Sequence, residues 1–161
     1  MALPKYTERY LAGDSWLAGC SQHPALVREA WSLEALAPIR SGSAWLAAEA
    51  PLVASIQARS LIREEFRGPI LADPDLDTAW WLVPLDAVEE LADLRAVAVQ
   101  PIGRPLHCPP TGRPACGRLW LTHPDGSGQL TAPAVLAAAF GPGGFRRPAE
   151  ATAWPSPSPS P

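Results

Sequence analysis

The 161-residue sequence contains no asparagine, a single lysine (Lys5), one methionine and only three cysteines. It has no apolar run approaching the roughly 18 residues that a membrane-spanning helix needs, and no glycine period of the collagen kind. Missing asparagine and near-missing lysine, set against 20 prolines and an arginine-dominated basic set, are what codon avoidance in a GC-rich genome produces. The arginine excess therefore calls for no functional explanation by itself. Cys20, Cys108 and Cys116 are an odd and sparse set in a chain long enough to bury its own core, which argues against a disulfide framework and for free thiols. Lys5, Glu8, Arg9 and Asp14 interrupt the opening of the chain, so no basic segment, apolar core and small-residue cleavage site follow one another there. The expectation is a cytoplasmic protein with no membrane segment.

What is present is 47% hydrophobic and 18% charged residues with a net charge of −3, the balance of a soluble globular chain. The charge is uneven. Residues 1–63 carry six basic and five acidic side chains, residues 64–94 one basic and nine acidic, and residues 95–161 six basic and two acidic. The acidic middle opposes phosphate binding by that stretch, whereas Arg104, Arg113 and Arg118 are placed to face an anion.

Periodicity predicts a helix from near Tyr6 and another after Ser21, carried by Leu26, Val27, Ala30, Trp31 and Leu33–Leu36 and ended by Pro38. After the Arg40-Ser41-Gly42-Ser43 turn, Ala44–Ala50 reads as a buried strand. Pro51 suits a first helical position, with Leu52, Val53, Ile56, Leu61 and Ile62 marking an apolar side that runs to about Phe66 and leaves Arg59, Arg63 and Glu64 outside it. Ile70–Ala72 and Ala79–Val83 read as a hairpin across the Asp73–Asp77 turn. Asp86 and Glu89 have capping spacing before a helix with Val88, Leu91 and Ala92 on its buried side, and Ala96–Val99 closes the series as a strand.

The order over Ala44–Val99 is strand, helix, strand, strand, helix, strand. It predicts an α+β fold with a ferredoxin-like, RNA-recognition-motif-like βαββαβ core in which both helices share one face of the sheet. A further hairpin is expected from Pro105–Cys108 and Gly117–Thr122, followed by a helix over Pro133–Phe140 capped by Thr131. The implied organisation is an N-terminal helical segment at 1–43, an α+β core at 44–140 and a disordered Gly/Pro/Ser tail at 141–161 that ends in strict Ser/Pro alternation.

Few constellations carry chemistry. Asp73, Asp75 and Asp77 begin like a calcium loop, but Thr78 stands where the sharp turn needs glycine and Pro84 where a bidentate Glu is required. His107, Cys108, Cys116 and His123 are four possible zinc ligands, yet Cys108 and Cys116 are too far apart for a knuckle with ligands two to four residues apart. No nucleophile elbow, phosphate-cradling Gly-rich loop or His-Glu-x-x-His pair occurs. Trp16, Trp31, Trp45, Trp80 and Trp120 sit in apolar segments and read as core.

Trp31-Ser32-Leu33-Glu34-Ala35-Leu36-Ala37-Pro38, Gly68-Pro69-Ile70-Leu71 with Trp80-Trp81-Leu82-Val83-Pro84, and Cys108-Pro109-Pro110-Thr111 with Gly117-Arg118-Leu119-Trp120-Leu121 resemble short actinobacterial proteins similar to the N-terminal domain of bifunctional DNA primase/polymerases. The resemblance covers about residues 31–140 and implies an RNA-recognition-motif-like core. For catalysis it implies an acidic pair at alternate positions of a core strand, a histidine on a neighbouring strand and a further acid, which together hold two metal ions. The first core strand offers Glu49 alone. The expected function is therefore a non-catalytic binding or regulatory module that needs no cofactor, serves a protein partner and has little or no affinity for nucleic acid. The alternatives are a primase/polymerase-type nucleotidyltransferase using Glu49 and a zinc-dependent interaction module using His107, Cys108, Cys116 and His123.

Overall fold

The computed structural model describes residues 3–141, with side chains from Glu8 onward, so the expected tail lies, but for Gly141, outside the described residues. The elements are α1 (Leu3–Gly19), α2 (Pro24–Ser32), β1 (Ala37–Arg40), β2 (Leu46–Pro51), α3 (Leu52–Leu61), β3 (Ile70–Asp73), β4 (Thr78–Val83), α4 (Val88–Leu91), β5 (Ala98–Val99), β6 (Pro105–Cys108), β7 (Leu119–Thr122) and α5 (Pro133–Phe140). The fold is mixed α+β. Its main sheet has the order β5-β2-β4-β3-β7, β1 and β6 form a separate two-stranded sheet, and every pairing is antiparallel. Among the described residues no helix is long and apolar enough to cross a membrane.

The β3–β4 hairpin closes through a short 3-10 turn at Pro74–Leu76, where Asp73 Oδ1 accepts from the Leu76 amide at 3.2 Å and Asp77 takes a left-handed φ of 51°. Near-continuous apolar runs in β2, β3 and β4 follow from burial of the main sheet on both faces. On one face Leu46, Ala48, Ile70, Trp81 and Val83 meet Ala54 and Ala58 of α3, Leu91 of α4 and Leu136 and Phe140 of α5. The alanines leave room for Trp81, whose ring meets Phe140 edge-on at 5.8 Å and donates its indole N–H to Ser55 Oγ at 3.0 Å. On the other face Ala47, Leu71, Trp80 and Leu82 lie under α1, α2 and the β1–β6 sheet. Trp31 ties α2 to β6 by donating Nε1–H to the Cys108 carbonyl at 2.9 Å.

Four expectations are corrected. Pro105–Cys108 and Gly117–Thr122 do not pair with each other; β6 pairs with β1 and β7 extends the main sheet beside β3. The helix expected to run on to Pro38 stops at Ser32, because Glu34 adopts a left-handed φ of 61° and the chain then alternates buried Ala37 and Ile39 with exposed Pro38 and Arg40 as β1. On α3 the buried side is Ala54, Ser55 and Ala58, whereas Val53, Ile56 and Leu61 are 54%, 50% and 57% exposed: the wide Trp81 ring requires small residues beneath it, and this outweighs side-chain hydrophobicity. At the later helices Asp86 and Thr131 do not cap. The α4 N-cap is Ala87, with Ala87 and Leu91 inward, Val88 half exposed and Ala92 exposed, while Thr131 Oγ1 accepts from the Gly68 amide at 2.9 Å.

Candidate functional site

Glu49 is the one acidic residue of β2, an otherwise apolar strand, and the register sets it opposite Trp80 of β4. Residues directly opposite on antiparallel strands share a sheet face, so the carboxylate reaches the indole, and Trp80 Nε1 donates to Glu49 Oε1 at 3.0 Å. Asp73, two positions after Leu71 on β3, shares that face by the same alternation. Its Oδ2 accepts from Arg118 Nε at 2.9 Å, in an ion pair whose side chains are 15% and 11% exposed. The Arg118 guanidinium lies 4.5 Å from the Trp80 ring centroid, and its Nη1 donates to the His107 carbonyl at 2.9 Å.

Above these groups the β1–β6 sheet leaves a cleft of about 310 Å³, lined by Glu49, Trp80, Gln100, Arg104, His107 and Arg118 among others. Four sequence candidates are therefore brought together: Glu49, Arg104, His107 and Arg118. The charges are not equally available. Arg118 is neutralised by Asp73, whereas exposed Arg104 is positioned by a neutral acceptor, Gln100 Oε1, at 2.6 Å. Both carboxylates on this face already serve internal partners. The cleft can offer a cation at Arg104 and acceptor capacity at Glu49 to a compact polar ligand.

The other candidates lie elsewhere. Arg113 donates from Nη2 to the Trp31 carbonyl at 2.7 Å, at the end of α2. Cys108 is fully buried between the main sheet and β1–β6; its thiol donates to the Leu106 carbonyl, and burial pushes its pKa far up. Strand alternation turns His107 away from it, Cys116 is exposed, and His123 packs edge-on against Tyr10 in a different cavity. Among the described residues no three His, Cys, Asp or Glu side chains gather as a metal site. Trp80 and Gln100 were not singled out as site residues from sequence, and Asp73 was weighed only as the start of a calcium loop. The only local signal was the polar Glu49 on an apolar strand, since the Asp73–Arg118 pair spans 45 residues.

No protein-family model matches the chain, and no curated protein or solved structure matches it.

Proposed function

We propose that this chain is a non-catalytic binding module built on a ferredoxin-like core, with its ligand site in the cleft over Trp80. Support for the core comes from the strand order β5-β2-β4-β3, antiparallel throughout, with α3 and α4 packed on one face. β7 adds a strand beyond β3, and α1, α2 and β1–β6 cover the face opposite α3.

The observation that carries the binding reading is the commitment of the two carboxylates. Two-metal phosphoryl transfer needs acidic oxygens aimed at a common point and free to ligate. Asp73 is instead held by the Arg118 guanidinium, and Glu49 gives one oxygen to the Trp80 indole, so no pair of free acids is left to ligate the metals. The same geometry suits recognition: Arg104 takes an anionic group and Glu49 a hydrogen-bond donor of one small ligand. Three free thiols fit a cytoplasmic setting.

A primer-extension assay with magnesium or manganese tests the reading. The expected result is no template-dependent incorporation by the wild-type chain. Incorporation that Glu49→Ala abolishes would overturn the module in favour of a nucleotidyltransferase.

A further inference from the structure

A second cavity, of about 400 Å³, lies where α1 meets the end of β7, and the charges around it are arranged differently from those of the cleft. Gly13 lets α1 settle on the Pro124 carbonyl, where a Cβ would overlap it. That contact brings Arg9 and Tyr10 to the 122–125 segment. Arg67 and Arg9 line the cavity directly, and Arg59 stands behind its wall, donating from Nε to Thr122 Oγ1 at 2.7 Å. Arg67 is fixed in the same manner, from Nε to the Ile62 carbonyl at 2.8 Å.

Both anchoring acceptors are neutral. Among the described residues the close ion pairs are Arg63–Glu65 and Arg118–Asp73, so Arg9, Arg59 and Arg67 make no direct ion pair, although Glu64 lies near enough to act on Arg59. The terminal nitrogens of Arg59 and Arg67 make no hydrogen bond within the described chain, which leaves each fork positioned but unused. Burial first, and then the nearby Arg67 charge, hold Arg59 below its ordinary pKa despite Glu64. Like charges held together cost free energy that a bound anion recovers.

Glu64, Glu65 and Asp125 also line the cavity, but all three are exposed, as is Arg9, whereas Arg59, Arg67 and His123 are half buried. Glu65 faces Arg63, and Asp125 Oδ1 accepts from the Ser127 amide and hydroxyl. Water screens the exposed carboxylates more than the half-buried Arg59 and Arg67.

We propose that this cavity is a binding site for a phosphate-type oxyanion, free or as a monoester, gripped by Arg67 and Arg9 and held in the field of Arg59. Guanidinium forks match tetrahedral oxyanions in pairs of parallel hydrogen bonds. The site is separate from the cleft and stands or falls independently of it.

His123 is the built-in reporter. It is packed against Tyr10, and it is held below its ordinary pKa by burial and then by Arg9, with Asp125 opposing. An anion beside Arg9 cancels part of that field. Ring titrations of the full chain by NMR, in inorganic phosphate and in chloride at equal low ionic strength, should show His123 rising in phosphate while His23, which lines neither the cavity nor the cleft, does not follow it. Arg67→Gln should weaken phosphate binding about tenfold or more, with Arg67→Lys in between because it keeps the charge but loses the fork. If Arg67→Gln unfolds, Arg9→Gln on the exposed side of α1 replaces it. Equal movement of His123 and His23, no movement of His123, or full binding by a folded Arg67→Gln chain would each overturn the site.

Discussion

Arg118 Nε sits 2.9 Å from Asp73 Oδ2, and the pair joins the turn of the β3–β4 hairpin to the start of β7. Little of either side chain reaches water, so the attraction is only partly screened, and removing one partner strands the other. Asp73→Asn keeps an oxygen for the Leu76 amide while deleting the charge. The expected loss is about 3 kcal/mol by urea denaturation. A loss under about 1 kcal/mol would show that water screens this pair like an exposed one.

The opposite face of the sheet makes a different demand. Trp81 and Ser55 are both fully buried, and the indole N–H has the Ser55 hydroxyl at 3.0 Å. Ser55→Ala removes the acceptor but little volume, leaving a buried donor without a partner. The expected cost is about 2 kcal/mol, with a matching fall in melting temperature. An unchanged melting temperature would mean that the indole finds another acceptor.

These pairs also show what could be read from the chain and what could not. Pro51, Gly68-Pro69 and the Asp73–Asp77 turn punctuate the sequence sharply, and β2, α3, β3 and β4 fall close to where those residues put them. β1 escaped because its period-2 alternation lasts four residues and directly follows a helical period, with Pro38 tolerated in a two-stranded sheet that has two edges. The face of α3 escaped because a large residue on another strand decides which helical residues can be small. At the site, Glu49 was legible as a lone acid on an apolar strand. Arg59 was legible only as a residue outside the apolar side, since its partner Thr122 lies 63 residues away.

The thiols should separate by accessibility. Cys116 is exposed, Cys20 half buried and Cys108 fully buried, and burial raises the pKa of the last two. Thiolate is the reacting form, so a chromogenic disulfide reagent should label Cys116 rapidly, Cys20 slowly and Cys108 only on unfolding. Rapid labelling of Cys108 in the folded chain would mean that the β1–β6 sheet opens from the main sheet.

Acid sensitivity should begin at His123. Burial and the Arg9 charge favour its neutral form in the folded chain, so its pKa lies below the ordinary 6.5. Between the two values the unfolded chain binds more protons, and stability therefore falls as pH drops through 6.5 and levels off below the folded-state pKa. Asp125 acts in a separate window. Burial raises its pKa, but the Ser127 hydrogen bonds outweigh this and hold it below the ordinary 3.8, so the stability it lends is full above 3.8 and is lost only as pH falls through that lower value. His123→Gln should flatten the stability profile just below pH 6.5 and leave the decline below pH 4 in place. Melting temperatures across that range check it, and an identical slope in wild type and variant would assign the acid sensitivity to another group.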